Sequence, residues 1–428
     1  MKIICYNEVM KIAIVSAVYY PMINGVATFA HNLATGLAKK GNEVVVLCPS
    51  FTGKKHVEKD GNLTVYYLKS MRLPLYPDQI NEVPDKKKVF GKEMPRVFYR
   101  RGLWVSPTPY REVKKILKKF NPDVIHSQTS DPIGLATSIY ARDKNVPFVT
   151  TGHTYPDTIT GQLKALKWIK KPLDVVLTNY LVDYQRHSDF ATMPTEMAIE
   201  DLIKKRRREF KVPFEALSNG VDLSAFKPGR AKLEIYNKYK IPTDRPIALY
   251  VGRVDPEKTI SRVIEAFARV LEKIPEAMLL IVGDGIDKSY LEDLVKSMAL
   301  QNSVKFLGKV LPPELYEIYK VGDLFVTASE IETQGIVLIE AAATGLPIVA
   351  VDKGAVRDIC HDKENGKLCK AGGDIDGLAE GMIEILSNED LKREYSKKSL
   401  ELAKKHDLNH TLARFEEIYY KAMEKKVE

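Results

Sequence analysis

The chain alternates, twice over, between short β-branched apolar runs and amphipathic stretches long enough for helices, and that alternation leaves few folds open. In the first half the runs are KIAIVSA, EVVVLCP, LTVYYLK, PDVIHSQ, PFVTTGH and DFATMP; in the second they are IALYVGR, AMLLIVGDG, VKFLGKV, LFVTAS and PIVAVD. Runs that are apolar at consecutive positions suit strands buried on both faces, as in parallel sheets. Strands of that kind separated by helices predict two doubly wound α/β domains. The length of 428 residues agrees, since single cores stop growing near about 250–300 residues. The join is expected in LSNGVDLSAFKPGR, where Asn-Gly and Pro-Gly punctuate a stretch without periodicity. We therefore expect an N-terminal domain over residues 10–222, a C-terminal domain over 223–408, and a closing helix over 409–428 placed to cross back to the first domain.

The apolar run after Lys11, IAIVSAVYYPMI, has the length of a signal-peptide core. Its continuation decides otherwise: NGVATFAHNLATGLAKKGNEVVVLCPS reads as a glycine loop, a helix and a second strand, so the run is strand one of a βαβ unit. Met10 opens this pattern directly, and residues 1–9 read as an extension or an upstream start. No window of about 18 uncharged apolar residues occurs, so no membrane-spanning helix is expected. Cys5, Cys48, Cys360 and Cys369 are scattered and without CxxC spacing. That argues against a disulfide scaffold and for a reducing, cytoplasmic compartment. Cys360, His361 and Cys369 lack the fourth ligand and the close spacing of a zinc site.

Sheets of this class bind ligands at the carboxyl ends of their strands, so chemistry should be legible there. In YVGRVDPEKTI, Arg253 and Lys258 lie just past a strand and before a helix that begins near Thr259. Two cations beside a helix start suit a diphosphate, and they equally suit a solvated loop with two incidental charges. In YYPMINGVATF, Gly25 stands between strand and helix, where a missing side chain lets backbone N–H groups approach phosphate. No G-x-G-x-x-G follows, so this is not a dinucleotide fingerprint. The GDG from Gly283 to Gly285 also follows a strand, as an ordinary turn would.

SEIETQGIVLIEAA places Glu332 on a glycine-bearing loop at a strand end and Glu340 one turn into an apolar helix. The plain reading of Glu340 is a capping or solvent-facing helix acid. Two acids also imitate a glycosidase pair, against which the strand-end placement and the cationic loop weigh. GGDIDG imitates a metal-binding D-x-D, but Asp376 stands where an N-cap belongs before GLAEGMIEIL, and no metal is expected. A lone His153 after a strand is by type and place a structural histidine, and Tyr155 and Asp157 follow it with no role fixed.

Taken in order, YYPMINGV, TGHTYPD, LSNGVDLSAFKPG, VGRVDPEKT, IVGDG, VKFLGKV and SEIETQGIVLIEAAATGLPIVA resemble the family 4 retaining glycosyltransferases of GT-B fold. The likeness spans nearly the whole chain from Met10. It implies two Rossmann-like domains with a cleft between them. It also implies transfer of a sugar from a nucleotide-sugar, bound mainly by the C-terminal domain, with the anomeric configuration kept. By the resemblance Arg253 and Lys258 meet the diphosphate, Glu332 the sugar hydroxyls and Glu340 the ribose, while His153 lies near the reacting sugar. His153, Arg253, Lys258 and Glu332 form the implied catalytic set, and Gly25, Gly283, Val310, Gly335, Ile336 and Glu340 are further donor-binding positions. No cofactor is implied, the nucleotide-sugar being a co-substrate. One departure is Asn24-Gly25, where many members carry Gly-Gly, so the phosphate fit differs there.

The acceptor is sought in the first domain. DKKKVFGKEMPRVFYRRGLW, GQLKALKWIKKPLDVVLTNYLV and IKKRRREFK interleave cations with aromatics, on a chain of net charge +9. Such stretches suit an anionic lipid surface, contacted through Lys86, Lys87 and Lys88 and through Lys204, Lys205, Arg206, Arg207 and Arg208. A solvated basic face is the plain alternative. No RNA- or DNA-binding motif accompanies them, so nucleic acid is not an expected partner. The first loop and GHTYPD most resemble those of diacylglycerol glucosyltransferases and phosphatidylinositol mannosyltransferases. The expectation is transfer of glucose from UDP-glucose to a lipid such as diacylglycerol at the inner face of the cell membrane. Transfer to a phosphatidylinositol-type or soluble sugar acceptor, mannosyl transfer, and a GT-B sugar-nucleotide epimerase are the alternatives.

Overall fold

The structure, a computed structural model, describes residues 9–20, 22, 24–72, 79–81, 88–89, 92–93, 99–101, 104–153, 170–204 and 212–427. The chain divides into two compact units, one of Asn219–His410 and one of the residues up to Ser218 together with those from Thr411 onward.

The first unit is built on an eight-stranded sheet. Its strands are β1 (Lys11–Val15), β2 (Glu43–Pro49), β3 (His56–Asp60), β4 (Leu63–Leu68), β5 (Val124–Ser127), β6 (Phe148–Thr151), β7 (Phe190–Met193) and β8 (Phe214–Ala216). They lie in the order β8-β7-β6-β5-β1-β2-β4-β3, parallel throughout except for β3 against β4. Each apolar run of the first half is a strand here. The run that imitates a signal peptide is β1, paired on both sides within the sheet. β3 and β8 escape the sequence reading for physical reasons. HVEKD is a mostly exposed antiparallel edge with no apolar run, and FEA is too short to show a period.

Helices α1 (Gly25–Lys39), α2 (Tyr110–Phe120), α3 (Pro132–Lys144), α4 (Lys170–Arg186) and α5 (Glu196–Lys204) accompany this sheet. α1 shows why such segments fold as they do. The Asn24 side chain caps it by accepting from the Ala27 N–H at 2.9 Å, and Phe29, Ala30, Leu33, Ala34 and Leu37 form a buried stripe at helical spacing.

The second unit holds a six-stranded parallel sheet of β9 (Ile247–Val251), β10 (Met278–Val282), β11 (Val304–Gly308), β12 (Leu324–Thr327), β13 (Ile348–Val351) and β14 (Gly366–Cys369). The order β11-β10-β9-β12-β13-β14 is the doubly wound order whose winding reverses between its first and fourth strands, here β9 and β12. Successive strand residues serve opposite faces: Leu279 and Ile281 enter one apolar cluster, with Val263, Phe267 and Met382, whereas Met278, Leu280 and Val282 enter another, with Phe325 and Ile339. That division is why these strands read as unbroken apolar runs. β14, GKLC, was not legible because glycine and lysine interrupt it.

The helices of this part are α6 (Leu233–Tyr239), α7 (Ile260–Lys273), α8 (Lys288–Ser297), α9 (Glu314–Tyr319), α10 (Ile336–Ala343), α11 (Ile375–Leu386) and α12 (Glu389–Ala403). The sequence reading of the cap of α11 needs correction. The helix starts at Ile375, so Asp374 is its cap, accepting from the Gly377 and Lys370 N–H groups at 2.9 Å each. Asp376 falls in the first turn, exposed and paired with Arg269.

The closing helix, α13 (Leu408–Val427), buries Phe415 and Tyr419 and forks Arg414 onto both oxygens of Glu215 at 2.6 and 2.7 Å. Cys48, Cys360 and Cys369 are buried free thiols. Among the described residues no helix is long and apolar enough to cross a membrane.

Candidate active site

The loops after β9 and β12 flank the reversal of winding, the place where sheets of this order take ligands. Lys258, from the first loop, donates to Glu332 Oε1, from the second, at 2.6 Å. Ser329 Oγ and the Ile331 carbonyl accept from the same ammonium at 3.4 Å. The Lys258 and Glu332 side chains retain only 14% and 13% exposure, so the attraction is screened less than in a surface pair. Thr259, next to Lys258, adopts a left-handed φ of 47°, rare for a β-branched residue. Its hydroxyl donates to the Ala328 carbonyl at 2.6 Å and so ties one loop to the other.

Arg253 reaches Asp255 and Glu257 within its own loop. Asp255 also accepts from the Ile286 N–H at 3.2 Å, joining this loop to the GDG loop after β10. The glycines there have a steric reason: a Cβ on Gly283 would lie 1.8 Å from the Gly252 carbonyl oxygen, and one on Gly285 would lie 1.9 Å from that of Val254. The GDG is thus a close backbone approach rather than an ordinary turn. Neither α7 nor α10 has a side-chain cap, which leaves first-turn N–H groups for an anion. Gly335 takes a left-handed φ of 74° at the cap of α10, and Ile336 opens that helix with its side chain packed on the second unit's core.

Glu340 is half-buried rather than solvent-facing. Burial pushes its carboxyl up to about 7, opposed by the hydrogen bond that Tyr319 O–H donates to Oε2 at 2.6 Å. The opposite case is Glu330, two residues before Glu332. Lys353 at 2.8 Å and Arg262 at 2.6 Å hold it down at about 2, and the Gly372 N–H adds a bond at 3.1 Å. This one carboxylate binds together the first turn of α7 and the loops after β12, β13 and β14.

The first unit presents a different chemistry at the ends of β5 and β6. His126 and Gln128, and likewise Thr151 and His153, are two residues apart and so share a face. His153 Nε2 lies 2.6 Å from Gln128 Oε1, and Gln128 Nε2 lies 3.1 Å from His126 Nε2. His126 further meets Thr151 Oγ1 through Nε2 and the Tyr419 hydroxyl through Nδ1, both at 2.7 Å. Phe29 flanks His153 and Phe415 flanks His126. Burial pushes both imidazoles down to about 3, His126 with a further contribution from neighbouring His153, so both are neutral at ordinary pH.

Residues 23–225 match Glycosyltransferase Family 4, and residues 231–402 match Glycosyl transferases group 1. A solved structure of sucrose-phosphate synthase from Thermosynechococcus elongatus superposes with a TM-score of 0.73, covering 96% of this chain and 98% of the other at 20% identity. The chain is a glycosyltransferase of GT-B fold. This glycosyltransferase is 28% identical over 381 residues to the α-monoglucosyldiacylglycerol synthase of Streptococcus pneumoniae, covering 87% of this chain and 78% of the relative. It is 27% identical over 375 residues to the GDP-mannose-dependent α-mannosyltransferase of Mycobacterium tuberculosis, covering 85% and 84%.

The site residues named from the glycosyltransferase's sequence, besides His153, fall into four groups. Lys258 and Glu332 are in contact, with Arg253, Gly335, Ile336 and Glu340 on the same loops or on the helix that follows, and Gly283 on the adjoining loop after β10. Val310 buries its side chain in the apolar cluster of Leu249 and Phe325, which leaves its backbone for any ligand. Gly25 opens α1, where Asn24 already occupies one first-turn N–H. Lys86, Lys87, Lys205, Arg206, Arg207 and Arg208, with Tyr155 and Asp157, lie outside the described residues, and of Lys88 and Lys204 only the backbone is described.

Sequence reasoning missed Tyr319, Glu330, Arg262, Lys353, His126, Gln128 and Tyr419. The alternation in VIHSQ could have placed His126 and Gln128 on one face. Tyr419, 293 residues from His126, left no such signal. Among the described residues no group of three His, Cys, Asp or Glu side chains gathers as a metal site.

Proposed function

We propose that this glycosyltransferase moves glucose from UDP-glucose to a membrane lipid such as diacylglycerol, with retention at the anomeric carbon and without a metal. The observation that carries the transferase chemistry is the contact of Lys258 with Glu332 where the winding reverses. Breaking the glycosidic bond leaves extra negative charge on the departing diphosphate. Lys258 and Arg253 are the cations for that charge, and the uncapped starts of α7 and α10 add N–H donors. A unit charge pair about 4 Å apart is worth about 4 kcal/mol at an effective dielectric of about 20, roughly three decades in rate if realised only in the transition state. Glu332 supplies an acceptor for sugar hydroxyls and a negative charge beside an oxocarbenium-like carbon. Glu340 is the ribose acceptor.

The lipid half of the reading is supported by the pneumococcal relative, named for glucosyldiacylglycerol synthesis. It is also supported by charge: Arg111, Lys115, Lys118 and Lys119 are exposed along α2 of the first unit, beyond the basic stretches read from sequence. Such a face suits peripheral attachment to an anionic leaflet on the cytoplasmic side, with about 1 kcal/mol per cation near the surface. A second reading, mannosyl transfer from GDP-mannose, is favoured by the mycobacterial relative.

The test offers UDP-glucose or GDP-mannose with diacylglycerol in anionic or neutral vesicles, and reads nucleotide release and product by mass spectrometry and anomeric proton NMR. The expected result is UDP release with an α-glucosyl lipid on anionic vesicles, undiminished by EDTA and weaker as salt rises. A β-linked product, loss of activity with the chelator, or equal activity on neutral vesicles would contradict the corresponding part. Product from GDP-mannose alone would put the second reading in its place.

A further inference from the structure

The hydrogen-bonded chain Tyr419–His126–Gln128–His153 contains three residues for which the transferase chemistry above has no use. It is fully enclosed at His126 and Gln128, where every polar group needs a partner. A neutral imidazole and a primary amide each present one donor and one acceptor along such a chain. The protons therefore have two self-consistent arrangements. With Gln128 Oε1 facing His153, the histidine must donate through Nε2–H. With the amide turned over, His153 Nε2 would accept and the proton would sit on Nδ1.

The structure has the first arrangement, Oε1 at 2.6 Å from His153 Nε2 and the amide nitrogen at 3.1 Å from His126 Nε2. His126 Nε2 then accepts, its one lone pair shared between the amide at 3.1 Å and Thr151 O–H at 2.7 Å, and Thr151 in turn accepts from Thr192 O–H at 2.7 Å. That arrangement requires the His126 proton on Nδ1, facing the Tyr419 oxygen 2.7 Å away. His153 Nδ1 has no hydrogen-bond partner among the described residues.

We infer that Gln128, held by His126 and Tyr419, is a positioning residue that locks His153 with its proton on Nε2 and its lone pair on Nδ1, making the group His153 meets a hydroxyl donor. A sugar or acceptor hydroxyl fits that lone pair, and a fully ionised phosphate oxygen does not. This rests on His153 belonging to the site, as the proposed function has it. Both imidazoles stay neutral at working pH, so the lock is a matter of tautomer and not of charge.

The experiment is ¹⁵N NMR of histidine-labelled full-length protein without substrate, joined to kinetics of donor turnover. The wild-type protein is expected to show His153 as a single tautomer, protonated at Nε2. In Gln128→Met both tautomers should appear, with kcat lower by about tenfold, the scale of one buried hydrogen bond, and UDP affinity within twofold of wild type. Tyr419→Phe should give a smaller loss of the same kind. A wild-type spectrum with His153 protonated at Nδ1 overturns the inference even if no variant folds. So does an unchanged tautomer in a folded Gln128→Met. If the tautomer is as stated but diacylglycerol receives no sugar, the acceptor proposal fails and the positioning role stands.

Discussion

The carboxyl edges of the two sheets solve the same problem with opposite materials. In the second unit the edge is ionic: Lys258 grips Glu332, Arg253 reaches Asp255 and Glu257, and Glu330 holds Arg262 and Lys353. In the first unit the edge is a chain of neutral groups, from Tyr419 through His126 and Gln128 to His153. On the proposed function, the difference follows from what each would meet. A diphosphate brings charge, which fixed cations and helix starts stabilise. Hydroxyls bring dipoles, which need donors and acceptors pointed the right way and gain little from net charge.

The comparison is most exposed to failure at Lys258. Lys258→Ala should lower kcat for transfer by about 10²–10³, the range for losing one group that stabilises transition-state charge. Steady-state kinetics on folded protein would show it, and near-normal turnover in an Arg253→Ala, Lys258→Ala double variant would remove the ionic edge from the chemistry.

The next effect is in stability, where the buried Glu340 and the buried histidines of the neutral edge should respond to pH with opposite signs. Glu340 titrates near 7 in the folded protein against 4.5 ordinarily. The folded state therefore keeps a proton that the unfolded chain has lost, and this group's contribution is full below 4.5 and disappears as pH rises through 7. Glu340→Gln should match wild type near pH 5 and exceed it near pH 8 by at most about 3 kcal/mol, seen in thermal unfolding. His126 and His153 are depressed from 6.5 to about 3. Their contribution is present above 6.5 and is lost as pH falls from there toward 3. A His126→Gln variant should therefore lose stability less steeply between pH 6.5 and 4 than wild type does. Parallel acid limbs would mean that the neutral edge is not as enclosed as described.

How much of this was legible in the sequence follows from the same contrast. The ionic edge is written locally, since Arg253 and Lys258 sit in one loop, and Glu332, Gly335 and Glu340 fall within one short motif beside a strand. By residue type alone they suit phosphate or an ordinary solvated loop, and it is the resemblance of the whole motif that implies phosphate and hydroxyl roles. The neutral edge is assembled by the fold: alternation in VIHSQ puts His126 and Gln128 on one face and the resemblance names His153, but Gln128 and His153 come from adjacent strands and Tyr419 from the closing helix, and no local pattern joins them. The fold itself was legible where strands are buried on both faces and fell silent at β3, β8 and β14, which are exposed, short or interrupted. The cap of α11 erred by two residues because two aspartates offered themselves and only the backbone start at Ile375 chooses Asp374. The smallest predicted effect lies there, away from both edges. Asp374→Ala should cost about 1 kcal/mol, and Asp376→Ala, on the surface, within about 0.5 kcal/mol of nothing, by denaturant unfolding of the two variants. Equal effects would reverse the assignment.

The central claim is that the ionic edge alone holds the nucleotide end of the donor. Isothermal titration of UDP into wild type, Lys258→Ala and Gln128→Met tests it directly. The account predicts UDP affinity weakened at least tenfold in Lys258→Ala, where a buried charged hydrogen-bond donor is lost, and unchanged within about twofold in Gln128→Met. Equal affinity in wild type and Lys258→Ala, or a loss confined to Gln128→Met, would contradict it.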